Sequence, residues 1–293
     1  MVRERVIIVS NGVTSLELTN PPYYVKKTEG FDELDVEIVK SQGFDQDGAT
    51  ELNSYIQPRN MIITGQLHAE TSSQMQQLHD NILNLFLPKK KIEINNFFGG
   101  KNRVITASVT KTPNFENTDV RAVDEYVVKL EASNPYWRDP GETLIQIANV
   151  VPMFHFPISI DKNKGMVFGV KSPSLIAVIY NRSVVKAGMK FVFIANGKLS
   201  NPQLFNIKTR EFFKLKCDMQ AGESIIVQTG IDKSVIRKKN GVEEDYIGKI
   251  DIPSGGNTFL ELYPGDNLLR YSADQGEDML EVKIYFNNKY LGV

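Results

Sequence analysis

Apolar and polar residues alternate along most of this chain, and one stretch breaks the alternation in favour of a helical spacing. Val6 to Val9 forms a first short apolar run, closed by the turn pair Asn11-Gly12, and Asn20-Pro21-Pro22 forces an extended break before Tyr23-Tyr24. Leu34, Val36 and Ile38 alternate with Asp35 and Glu37, the pattern of a half-exposed strand that ends at Gly43. Met61, Ile63 and Leu67 share one face of a later strand while Thr64, Gln66 and His68 share the other, so one side is expected to face a core. The period then changes. Met75, Leu78, Ile82, Leu85 and Phe86 fall at helical spacing, Thr71 and Gln74 stand in capping-box positions ahead of them, and Pro88 closes the helix. The bare pattern predicts a helix packed on its own sheet.

After the helix, Lys89-Lys90-Lys91 leads into Ile92 and Ile94. The run reads as a solvated basic turn or as a salt-sensitive contact with an acidic neighbouring subunit. Phe97-Phe98-Gly99-Gly100 reads as a turn joining strands. Ile105, Ala107 and Val109 begin a further alternation, which Ala122, Tyr126, Val128, Leu130 and Ala132 continue past a loop from Pro113 to Asp119. Several strands and one helix predict an α+β domain, a mainly antiparallel sheet with a helix against it. Asn134 to Gly141 holds Pro135, Pro140 and Trp137 and marks a boundary, followed by a partly strand-like connection from Glu142 to Ile160. Trp137 reads as an aromatic plug between domains, with a ligand platform as the alternative.

The second half is strand after strand: Leu175 to Tyr180, Lys190 to Ala195, Gln203 to Ile207, Glu211 to Cys217, Ser224 to Gln228, Lys233 to Lys238, Tyr246 to Ile250, Phe259 to Tyr263, Leu268 to Tyr271 and Leu280 to Phe286. Asn196-Gly197, Ala221-Gly222, Asn240-Gly241 and Gly255-Gly256 supply turns between them. Short strands at this spacing predict a β-sandwich or barrel.

Composition changes this picture little. With 293 residues the chain leans toward two domains, and 41% hydrophobic with 24% charged residues is ordinary for a folded protein. A net charge of -1 supplies no global field toward nucleic acid or an anionic membrane. The apolar run at Val6 to Val9 is too short for a signal peptide and no run approaches the roughly 20 residues of a membrane span, so synthesis in the cytosol without export is expected. The single Cys217 excludes an intrachain disulfide framework and, lying in alternation with Phe213 and Leu215, reads as a buried small hydrophobe.

Catalytic chemistry finds no foothold. His68, His79 and His155 stand apart without zinc spacing, and Asp45-Gln46-Asp47-Gly48 lacks the later acidic ligands of a calcium loop. Glu243-Glu244-Asp245 follows a turn as a solvated hairpin, whereas glycoside hydrolysis needs two carboxylates held across a cleft. Neither a nucleophile elbow nor a phosphate-binding loop occurs. Asn181-Arg182-Ser183 matches a glycosylation sequon but has no secretory signal behind it. No cofactor, no metal and no enzymatic activity are expected.

The order of several motifs resembles the distal tail protein family of long-tailed phages of Gram-positive bacteria. Gly43, Asp47 and Gly48 come first, then Pro58, Arg59 and Gly65, then the helix, Leu87-Pro88-Lys89 and a strand; Asn134-Pro135-Tyr136-Trp137 resembles the end of the family's first domain. Phe259, Leu262 and Pro264-Gly265-Asp266-Asn267, with Tyr290, Gly292 and Val293, resemble the close of its second. The resemblance implies a tail-tube-like, ring-forming domain over 1–145 and a galectin-like β-sandwich over 146–293, the sandwiches projecting outward from a hexameric ring. It implies a structural hub at the virion tail tip, assembled in the host cytoplasm, with the tail-tube protein and the tail-tip protein as partners, and neither sequence-specific nucleic-acid recognition nor membrane insertion. Asp47, Gly48, Arg59, Ile63 and Leu78 are the expected ring-interface residues. The alternative is a carbohydrate-binding module for bacterial surface glycans; a wall hydrolase has no residue set to support it.

Overall fold

In the computed structural model, which describes residues 5–117, 123–147, 150–152, 169–171, 176–252 and 259–293, the alternating positions of the first half come together in one nine-stranded antiparallel sheet. Its strands are β1 (Arg5–Ser10), β2 (Ser15–Glu17), β3 (Tyr23–Glu29), β6 (Arg59–His68), β7 (Lys91–Phe98), β8 (Lys101–Asn117), β9 (Val123–Ala132), β10 (Trp137–Arg138) and the late strand Lys289–Tyr290. The main path runs β2-β1-β7-β8-β9-β6-β3, and β10 pairs with both β8 and Lys289–Tyr290. The remaining pair, β4 (Val36–Ser41) and β5 (Thr50–Ile56), forms a separate two-stranded sheet.

The inward positions follow the two-residue period. Met61, Ile63 and Leu67 of β6 are buried, with Tyr126, Val128 and Leu130 of β9 and Ile105 and Ala107 of β8. Helix α1 (Ser72–Leu85) covers this face. Thr71 accepts from the Gln74 N–H, and the Gln74 side chain accepts from the Thr71 N–H, so the capping box is complete. Ile82, Leu85 and Phe86 are fully buried, while Met75 and Leu78 pack at the edge of the core. His79 adds a polar clamp: Nε2 lies 2.9 Å from Asp124 Oδ2, and its ring stacks on Phe115 at 4.0 Å between centroids.

Gly65 shows why its position excludes a side chain. It faces Tyr126 across the ladder, and a Cβ there would sit 2.3 Å from Tyr126 Cζ, so the tyrosine ring lies over the bare backbone.

The second half builds two further sheets around one core. One has the order β11 (Thr143–Ile147), β23 (Leu280–Phe286), β15 (Met189–Ala195), β19 (Ser224–Gln228), β20 (Ser234–Lys239), β21 (Val242–Asp245). The other runs β14 (Ile176–Asn181), β22 (Gly265–Gln275), β16 (Leu199–Asn206), β17 (Phe212–Lys214), with β18 (Asp218–Met219) also on β16. A short pair, β12 (Val150–Pro152) and β13 (Gly169–Lys171), completes the described strands. Phe191, Phe193, Phe213, Leu204, Tyr271 and Ile284 fill the space between the sheets, with edge-on ring contacts at 5.3 Å linking Phe191 to Phe193 and Phe213. The chain is therefore mainly β, with a single α-helix among the described residues, as the patterning implied. It divides into two compact units, one comprising residues up to Pro140 together with Lys289–Val293, the other Gly141–Asn288.

Four expectations change. The stretch from Pro113 is strand rather than loop: β8 runs on to Asn117, and register shifts between Val109 and Lys111 and between Lys111 and Asn114 let a proline pass without a ladder bond. Tyr246 to Ile250 is a single 3-10 turn at Ile247–Lys249, and Phe259 to Tyr263 contributes only the bridge of Leu262 to Ala187. Trp137 is a fully buried core residue of the first unit, its Nε1–H donating to the Phe31 carbonyl at 2.9 Å, and not an exposed platform. His155, Ala122, Leu175, residues 118–119 and the Gly255-Gly256 turn lie outside the described residues.

Two measurements follow from this packing. Gly65→Ala is expected to cost about 1–3 kcal/mol by overpacking Tyr126, read as a lowered melting temperature. In the second unit the Glu223 carboxylate, 3% exposed, meets Arg237 Nη2 at 2.5 Å and Lys239 Nζ at 2.9 Å and accepts the Gln220 N–H at 3.2 Å. Burial alone would raise its pKa, but these donors outweigh it and hold the group at about 2, below the ordinary 4.5. Because the folded value is the lower one, this stabilisation is complete above about 4.5 and is lost as pH falls through about 2. Glu223→Gln is expected to destabilise the protein at neutral pH and to flatten acid unfolding across that window.

Candidate assembly site

The β4–β5 hairpin is unusual in that none of its strand residues except Ile56 is covered by the rest of the chain. Its backbone is well paired from Val36↔Ile56 to Ser41↔Thr50, with one irregularity at Val39/Lys40. The connecting tip is held by the Gln46 side chain, which accepts the Gly43 N–H at 2.9 Å, while Gln42 Nε2 donates to the Gln46 carbonyl at 3.1 Å. Asp45 and Gly48 take the left-handed conformation at φ 62 and 79, which Gly adopts without cost and Asp tolerates. Val36, Ile38, Leu52 and Tyr55 are exposed along the strands, and Phe44 at the tip is fully so. An isolated hairpin with bare apolar side chains is marginal in water, and its exposed backbone edges invite pairing with another chain.

What fixes this hairpin is the residue three positions beyond β5. Arg59 is 2% exposed and donates only to backbone carbonyls: Nε to Pro135 at 2.6 Å, Nη1 to Gly30, Phe31 and Glu33 at 2.7, 2.9 and 3.0 Å, and Nη2 to Leu291. The guanidinium thus gathers the loop leading into β4, the Asn134-Pro135-Tyr136-Trp137 segment and the last residues of the chain. Burial pulls its pKa down to about 10, partly opposed by the Asp32 carboxylate, so the group remains cationic at neutral pH. The closing residues are held at other points too: Val293 N–H donates to Asp32 Oδ1 at 3.2 Å, Arg103 donates to the Gly292 carbonyl and lies over the Tyr290 ring, and Tyr290 Oη bonds Asp139 Oδ1 at 3.0 Å.

The expected interface residues therefore occupy different places. Asp47 and Gly48 sit exposed at the hairpin tip; Arg59 and Ile63 are interior, the first anchoring segments and the second filling the core; Leu78 is partly covered and lines an open cleft with Pro22, His68 and Gln74. The exposed apolar residues of the hairpin were not among the expected residues. Val36 and Ile38 belong to the alternation that read as a half-exposed strand, whereas both faces of β4 are exposed.

No competing chemistry is assembled. Among the described residues no group of three or more His, Cys, Asp or Glu could hold a metal, and no helix is long and apolar enough to cross a membrane. Burial pushes the Cys217 thiol up to about 11, which leaves it protonated and unreactive at neutral pH. Asn181 of the sequon is buried, donating to the Leu262 carbonyl at 2.9 Å. Asn267 is likewise internal, accepting the Tyr263 N–H at 2.9 Å and donating to the Tyr263 and Gly265 carbonyls at 2.7 and 3.0 Å.

No family model matches the chain, and no curated protein matches it significantly. Solved structures of phage proteins do. The Dit protein (gp 19.1) of SPP1, described as a paradigm of the hub adsorption apparatus in phages infecting Gram-positive bacteria, superposes with a TM-score of 0.68 at 12% identity, over 99% of this chain and 100% of that one. Chains of the phage p2 baseplate in its activated conformation match at a TM-score of 0.54 and 10% identity: the strontium form over 99% of this chain, the calcium form over 100%, and each over 100% of its own length. The chain accordingly has the fold of a phage tail hub protein along its whole length.

Arg59→Met is expected to cost about 3–5 kcal/mol, because it strands several buried carbonyls at once. Arg59→Lys is expected to recover only part of that loss, since an ammonium cannot present the same planar fork. Chemical denaturation of the three proteins checks both; equal stability of the Met variant and the parent would show that the carbonyls find other partners.

Proposed function

We propose that this protein is a structural, non-enzymatic hub of a phage tail tip, whose first unit joins with other copies into a ring between the tail tube and the host-recognition apparatus. The observation that carries this reading is the end-to-end likeness of its fold to a hub adsorption protein. The exposed hairpin supports it independently, because a free-standing pair of strands with uncovered Phe44, Leu52 and Tyr55 is stabilised by a neighbour and otherwise exposes an aggregation-prone edge. Six copies, a tail-tube-like first domain and a galectin-like second domain complete the proposal, with the tail-tube protein on one side, the tail-tip protein on the other, and assembly in the host cytoplasm. Asp47 and Gly48 belong to the subunit boundary; Arg59 and Ile63 serve it indirectly by holding the hairpin and its sheet in place.

A head-to-tail contact repeated around a closed ring uses one surface of each copy against a different surface of the next. Light scattering of the purified protein over a range of concentrations is expected to give a single closed oligomer, and negative-stain electron microscopy a six-fold ring. Antibody against the protein is expected to label the distal end of tails in particle preparations. A persistent monomer, with no label on particles, would overturn the reading.

A further inference from the structure

The hairpin carries Asp45 and Asp47 at its tip beside the fully exposed Phe44, and Glu51 on β5 across the ladder from Lys40. Among the described residues none of these three carboxylates has an ion pair or side-chain hydrogen bond within the chain. A matching set lies elsewhere on the same unit. The turn between α1 and β7 presents Lys89, Lys90 and Lys91, all exposed, next to the exposed Leu87. These lysines are equally without an ion pair among the described residues, and Lys89 holds the left-handed conformation at φ 66, an uncommon geometry for a side chain of its size. Each surface thus combines an uncovered apolar side chain with unneutralised charges, and the signs are opposite.

We propose that Asp45, Asp47 and Glu51 on the hairpin of one copy seat against the Lys89–Lys91 turn of a second copy, Phe44 meeting Leu87, as a head-to-tail contact. This rests on the ring reading above and names the surfaces that make it. A contact between two distinct patches can repeat head-to-tail around a ring, whereas two reciprocal copies of it would close a two-fold pair, and the oligomer size in solution separates the two. Exposed charge pairs are screened by salt, which makes the contact tunable by ionic strength while the apolar pair persists.

The test uses the full chain. Raising salt from about 50 mM to about 500 mM shortens the screening length about threefold and is expected to shift assembly to markedly higher protein concentration in sedimentation velocity. Reversing the hairpin charges with Asp47→Lys and Glu51→Lys is expected to raise the assembly midpoint at least tenfold; both side chains are exposed, so folding, followed by circular dichroism, stays intact. Lys89→Glu, Lys90→Glu and Lys91→Glu are expected to do the same, and the two sets combined to restore assembly. Rings indifferent to the hairpin reversal, or combined variants that fold yet fail to recover, overturn this contact and leave the ring reading standing. A wild-type protein that stays monomeric at low salt overturns both.

Discussion

A single buried cation holds the first unit in register. The guanidinium of Arg59 has no carboxylate within ion-pairing distance among the described residues and instead satisfies five carbonyl oxygens drawn from the 30–33 loop, Pro135 and Leu291. Each of these carbonyls belongs to irregular backbone that no ladder could serve, and burying such groups without a donor is costly. A planar fork with five N–H groups is the one side chain able to answer all of them from a single point. The sheet itself gains its stability from buried apolar rows, but the loops that leave it gain their positions from this residue. The hairpin that follows from the 30–33 loop inherits its root from the same contact.

Local chemistry was legible in the sequence wherever one element decided its own form. The helix was readable to its cap because Thr71 and Gln74 reciprocate within one turn, and strands such as Ser224–Gln228 and Leu280–Phe286 were readable because both ends met turn residues. The alternation of Leu34, Val36 and Ile38 failed in an instructive way. A period of two states that one face of a strand is to be covered; it does not state by which chain. Pro113 misled for a related reason, since a proline removes one ladder bond and a register shift removes the need for it. Tyr246 to Ile250 has strand-forming residues, yet the Lys249 and Ile250 amides close back on the Tyr246 and Ile247 carbonyls in a 3-10 turn, and only its ends, the Tyr246 N–H and the Lys249 carbonyl, bond other segments, at the Val235 carbonyl and the Lys216 N–H.

The motifs that carried the family resemblance turn out to have structural meanings that explain their spacing. Arg59 and Gly65 stand six apart on one strand, the first reaching out of the sheet to the loops and the second leaving room for the Tyr126 ring. Pro264-Gly265-Asp266-Asn267 is the entry into β22, fixed by the Asn267 amide bonding the Tyr263 and Gly265 carbonyls, with Gly265 at φ 84. Of the candidate site, the tip at Asp47-Gly48 was readable from turn composition, whereas the exposure of Phe44 and Leu52 depended on the absence of any packing partner, which no linear pattern records.

The return of Lys289–Val293 makes the first unit discontinuous in sequence. Leu291 supplies one of the acceptors of Arg59, Tyr290 sits under Arg103, and Lys289–Tyr290 adds a strand beside Trp137. Two stretches separated by the whole of the second unit therefore complete one core. A cut at Gly141 that discards everything after it also discards an acceptor of Arg59 and a strand of the first sheet, so residues 1–140 alone are not the equivalent of the first unit.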